Sequence, residues 1–153
     1  MSVVIRTPRT SRLSKMINAS GGSSVGVALA RARTNLAALE PRGLEMAGQF
    51  VAQLVALPPP ETPDHVQSRL EAAYRAAAGV LDVAGPFERH DLCTAALSLC
   101  DLIDGSTEAR FDWRVLQVHA RAMELMLSLP ASAEDQRRRI LEGLAEVRSR
   151  KLA

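Results

Sequence analysis

Aromatic residues are scarce: the 153-residue chain has one Trp, one Tyr and three Phe, or 3%. That leaves few platforms on which nucleic-acid bases could stack. Valines are scattered, and no stretch alternates apolar and polar residues with period two, so no strand is predicted. No apolar run approaches the ~20 residues of a membrane-spanning helix, so no membrane span is expected. No hydrophobic region of a signal peptide stands out either. Lysine is nearly absent, with 2 Lys against 17 Arg. Residues 1–39 contain no Asp or Glu. They carry Arg6, Arg9, Arg12, Lys15, Arg31 and Arg33, a charge of +6, while the remainder carries −4. An acid-free basic segment ahead of a mildly acidic body suggests that the segment meets something acidic.

Cysteine is limited to Cys93 and Cys100. Seven residues apart on one helix, their Cα atoms lie ~10.5 Å apart, beyond the ~7 Å reach of a disulfide. They are expected to be reduced core residues, consistent with a reducing compartment and a cytoplasmic location.

What the chain does have is 47% hydrophobic and 24% charged residues, a globular balance. Ala, Leu and Arg abound and are strong helix formers. Residues 1–22 read as a flexible basic tail, with TPRTSR and NASGGSS flanking Leu13, Met16 and Ile17. Residues 23–153 read as one helical domain.

The first long helix is predicted from about Ser24 to Leu57. Val25, Leu29, Ala32, Leu36, Leu39, Gly43, Met46, Phe50, Gln53 and Leu57 step by four and three, a heptad-like seam. The seam keeps phase across Pro41, which predicts one kinked helix rather than two. Such a helix spans ~50 Å and could pair with a second copy through the Val25–Leu57 seam. Thr62-Pro63-Asp64 reads as the start of a second helix. Its core face is Val66, Leu70, Ala73, Ala77, Val80 and Ala84.

The stretch Phe87–Asp104, FERHDLCTAALSLCDLID, is apolar around most of its circumference and must be covered on several sides. Its polar stripe is His90, Asp91, Thr94, Ser98 and Asp101, and Leu97 falls on the wide apolar side. Asp112 caps a helix over Trp113–Leu129. A last helix is expected from Ser132, with Asp135 completing a capping-box-like pair, to about Arg150. The expected fold is all-α: an antiparallel bundle of four to five helices, the first long, behind a flexible tail.

His119 falls on an apolar arc and reads as a buried, hydrogen-bonded core residue. His90 and Cys93 have i,i+3 spacing, but no second ligand pair completes a metal site, so no metal is expected. No phosphate-binding Gly-rich loop with a following Lys is present, and no cofactor is expected. The acidic body and missing recognition motifs argue against nucleic acid.

The run His90-Asp91-Leu92-Cys93-Thr94-Ala95-Ala96 resembles the His-x-Leu-Lys-Gly-(Ala/Ser)-(Ala/Ser) pattern of histidine phosphotransfer domains. Those are helical bundles that present a phosphoacceptor histidine. Here Cys93 stands at the lysine position and Thr94 at the glycine position, with Arg89 the nearest cation.

Three stretches together resemble the small CheE proteins of alphaproteobacterial chemotaxis clusters. They are SRLSKMINASGGSSVGVALARARTNL (11–36), LCTAALSLCDLID (92–104) and FDWRVLQVHARAMELM (111–126). The resemblance implies a cytoplasmic, non-enzymatic accessory or adaptor of a bacterial chemotaxis or two-component pathway. Its partner would be a kinase, receptor or response regulator. Arg9, Arg12, Leu13, Lys15, Met16 and Ile17 are the candidate contact residues: the apolar three as anchors, the cations for steering. A phosphotransfer protein using His90 and a structural helical dimer are the alternatives.

Overall fold

The computed structural model describes residues 21–106 and 111–152. Among them are five helices and no strand, an all-α bundle as expected. The helices are α1 (Val25–Ala56), α2 (Val66–Ala84), α3 (His90–Asp104), α4 (Trp113–Ser128) and α5 (Glu134–Leu152). The 3₁₀ turns Pro63–His65 and Gly85–Phe87 lead into α2 and α3. No described helix is long and apolar enough to cross a membrane.

The chain divides into two units, residues 1–35 and 36–153, with the boundary inside α1. In the first, residues 21–35 are exposed throughout. Ser24 Oγ accepts a hydrogen bond from the Val27 amide at 3.3 Å and so caps the start of α1.

In the second unit, α3 packs against α2, α4 and α5. It is the hub that its broad apolar circumference requires. Leu92, Ala95, Ala96, Leu99 and Cys100 of α3 are buried with Leu116, Ala120, Met123 and Met126 of α4 and Leu144 of α5. Leu70, Ala73, Ala77 and Val80 of α2 and Val51 and Leu54 of α1 complete this core. Long-range contacts fix the directions. Arg89 reaches the Met126 carbonyl and Ser98 faces His119, so α3 and α4 run antiparallel. Arg137 bonds to Leu129 and Lys151 to Asp112, so α4 and α5 do too.

Glycines set how closely the helices approach. A Cβ on Gly43 would overlap Cε2 of Phe87, and one on Gly79 would lie 2.7 Å from Cε1 of Phe50. Each aromatic ring occupies the space that a side chain would take.

The helix starts and faces differ from expectation in several places. Pro41, by contrast, lies inside a single α1, as the unbroken phase of the seam predicts. Both Pro41 and Ala37, whose carbonyl loses its usual donor, are exposed, so water can replace that bond. The buried seam of α1 is Gly43, Ala47, Val51 and Leu54, while Met46 and Gln53 are exposed. The buried repeat is rotated by about one residue, and Phe50 is half-buried with its ring against Gly79. Thr62 makes no side-chain cap, since Pro63–His65 forms a 3₁₀ turn and α2 begins only at Val66. Phe87 belongs to a 3₁₀ turn, so α3 starts at His90. α5 begins at Glu134, because the Ala133 carbonyl, not that of Ser132, accepts its first bond, from the Arg137 amide.

Candidate functional site

Two polar constellations form in the second unit. The first is sealed in the core. His119 is fully buried, with Nδ1 2.9 Å from the Val115 carbonyl and Nε2 3.2 Å from Ser98 Oγ. A carbonyl only accepts, so Nδ1 carries the proton; in neutral imidazole Nε2 then accepts from the Ser98 hydroxyl. Burial lowers the His119 pKa, and the hydrogen bond to Val115 opposes this only in part. Ser98 is therefore not part of an exposed polar stripe: it is buried as the partner of His119. Leu97 is the converse, a leucine left 52% exposed. The stripe and the apolar side trade these two positions because α4 brings a polar ring to Ser98.

The second constellation lies at the N-terminal ends of α3 and α5. Asp91 Oδ1 and Oδ2 accept from Arg89 Nε at 3.0 Å and Nη2 at 2.9 Å, a bidentate pair. Arg137 Nε is 3.1 Å from Asp91 Oδ2, an ion pair whose N–H is not aligned as a hydrogen bond. The rest of the Arg137 guanidinium binds the carbonyls of Leu129, Pro130 and Ala131 at 2.8–3.1 Å. Those carbonyls follow α4, at the negative end of its dipole. Burial works against the Asp91 charge, but hydrogen bonds from Arg89 and the Leu92 amide and both guanidinium charges outweigh it and lower its pKa. The clamp thus ties together α3, the end of α4 and the start of α5. Glu88, just before it, holds a left-handed φ of 55°, which strains a non-glycine residue.

His90 is exposed in the first turn of α3, beside this clamp. It lies on a groove of about 670 Å³ lined by Leu44, Leu127, Leu129 and Leu141, with Glu40, Glu88 and Glu134 among its charged residues. Arg89, the cation nearest His90 in the sequence, is committed to Asp91 and to the Met126 carbonyl.

The cysteines are free. Cys100 is buried, and its thiol pKa is pushed up to about 11 by burial and by Asp104 and Asp101. Cys93 is half-buried, and burial raises its pKa too. Neither is an activated thiolate. No cluster of three or more potential metal ligands occurs among the described residues. Of the candidate contact residues, Arg9, Arg12, Leu13, Lys15, Met16 and Ile17 all lie outside the described residues.

α1 carries a further surface. In the first unit it exposes Val25, Val27 and Leu29, and in the second Leu36, Leu39 and Met46. Sequence spacing identified most of this stripe but not that it is solvent-facing. The Asp91 clamp was missed, because its members are 46 residues apart and only the fold brings Arg137 to Asp91. The crowding of Arg137, Arg138 and Arg139 on one turn was the only hint. No protein-family model, curated protein or solved structure matches the chain.

Proposed function

We propose that the protein is a non-enzymatic signalling accessory that acts in the cytoplasm by binding a protein partner. The partner would be a kinase, receptor or response regulator of a bacterial chemotaxis or two-component pathway. The observation that carries this reading is the α1 surface. Leu36 and Leu39, three residues apart, are 40% and 54% exposed, and Met46 is 40% exposed. Scattered surface leucines need no explanation, but apolar residues repeated at heptad spacing on one helix mark an interaction face. The acid-free segment with Arg9, Arg12, Lys15, Leu13, Met16 and Ile17 supplies a second contact, and its cations would speed encounter with an acidic partner. The resemblance to CheE proteins supplies the pathway. Pull-down of the purified pathway proteins by the full chain tests this. Loss of the partner on Leu36→Asp/Leu39→Asp supports it and retention by that variant refutes it; deleting residues 1–20 tests the second contact.

Phosphotransfer through His90 is the second reading, and the observation favouring it is the exposure of His90 on the groove. Incubation with a phosphorylated response regulator decides it. An acid-labile, alkali-stable label that vanishes in His90→Gln would establish it and displace the accessory reading. A homodimer through the Val25–Leu57 face uses the same exposed residues. Sedimentation equilibrium showing only monomer at high micromolar concentration refutes the dimer.

A further inference from the structure

The groove beside His90 has a character distinct from that of the α1 stripe. Leu44, Leu127, Leu129 and Leu141 give it an apolar lining, and each is only partly buried. Glu40 from α1, Glu88 from the turn before α3 and Glu134 at the start of α5 bring exposed carboxylates to it from three separate elements. None of these three makes an ion pair among the described residues. The positive charges lining the groove are in contrast already engaged. Arg89 is held by Asp91, Arg138 by Asp135, and Arg137 by Asp91 and three carbonyls. Leucines that water still touches, flanked by unpaired carboxylates, complement one kind of surface. That surface is a helix with apolar side chains on one face and Lys or Arg on its flanks. Leucine anchors alone would bind any amphipathic helix; the carboxylates select the cationic one and repel an acidic one.

We infer that this groove is a docking site for a cationic amphipathic helix of a partner protein. The inference rests on the reading that the chain acts by binding proteins, but it assigns the contact to a surface other than the Leu36, Leu39 and Met46 stripe. The volume of about 670 Å³ suits a few anchor side chains from two turns of helix.

The test uses the full chain and a fluorescein-labelled 14-residue helical peptide with leucines at i, i+3, i+4 and i+7 and lysines flanking them. Anisotropy titration is expected to show saturable one-to-one binding that weakens as salt rises from 50 to 300 mM. Neutralising the groove with Glu40→Gln/Glu88→Gln/Glu134→Gln should weaken binding at least tenfold. Changing the same number of exposed acids elsewhere, Glu61→Gln/Asp64→Asn/Glu71→Gln, should change it less than twofold. The peptide with glutamates in place of lysines should not bind. Equal losses in the two triple variants, or binding of the glutamate peptide, would overturn the inference. So would displacement of the probe by a synthetic peptide of residues 1–20 at lower concentration than the lysine peptide itself, which would give the groove to a second copy of this chain. Leu36→Asn/Leu39→Asn, which adds no charge beside Glu40, separates the two surfaces: it should leave the peptide affinity unchanged while weakening capture of the pathway partner.

Discussion

Replacing Asp91 by Asn tests the clamp that joins α3, α4 and α5. The side chains involved are largely buried, at 12% exposure for Asp91, 19% for Arg89 and 13% for Arg137. Asn is nearly isosteric, so the change removes charge rather than volume. Two guanidiniums would then share a site without their counter-charge. Removing one member of a buried pair costs ~3–5 kcal/mol. Arg137 keeps its three carbonyls and Arg89 keeps the Met126 carbonyl at 3.4 Å, which places the expected loss at the lower end, about 3 kcal/mol. For a domain of this size that lowers Tm by roughly 10 °C. Urea denaturation followed by far-UV circular dichroism measures it, with the m-value expected to stay constant. The Asp91 pKa is depressed below its usual 3.8, so its stabilisation is complete above that value and disappears as pH falls through the lower folded-state pKa. Asp91→Asn should lack this portion of the acid loss. Removing the whole cluster, as Arg89→Met/Asp91→Leu/Arg137→Met, should recover much of the stability, because no buried charge is left unpaired. A loss below about 1 kcal/mol in Asp91→Asn would refute the clamp, since that is the range of solvent-exposed pairs.

Gly79→Ala should destabilise by ~1–3 kcal/mol despite the better helix propensity of Ala, because the new methyl meets the Phe50 ring. The cost should largely vanish in a Phe50→Leu background, read by a double-mutant denaturation cycle. His119 is kept neutral by burial, so the unfolded chain binds its proton more readily than the folded one. Its contribution is complete above its usual 6.5 and is lost as pH falls below that value, at up to ~1.4 kcal/mol per pH unit, a slope that His119→Gln should remove. With its thiol pKa at about 11 and its side chain buried, Cys100 should resist iodoacetamide at pH 8 in the native protein and react fully in 8 M urea, as peptide mass spectrometry can follow.

Most of the architecture was legible in the sequence, because helical periodicity, proline breaks and the Asp112 cap are local signals. The Asp112 cap forms as expected, with its carboxylate accepting from the Arg114 amide at 3.0 Å. His119 also reads correctly, since a lone histidine on an apolar arc must find buried partners. What periodicity could not give were the features set by contacts between helices. Ser98 is buried against His119 of α4, and the Phe50 ring of α1 sits where Gly79 of α2 leaves room for it. The Asp91 clamp needs Arg137, and no spacing rule links residues on different helices. The groove carboxylates come from three elements, so their convergence is equally invisible in one dimension.

The most direct test of the central claim is isothermal titration of the full chain against the purified kinase, receptor and response regulators of the chemotaxis or two-component pathway. Saturable one-to-one binding to one of them is expected, with the affinity reduced at least tenfold by Leu36→Asp/Leu39→Asp in a variant that remains folded by circular dichroism. Absence of heat with every pathway protein, or affinity unchanged in that variant, would contradict it.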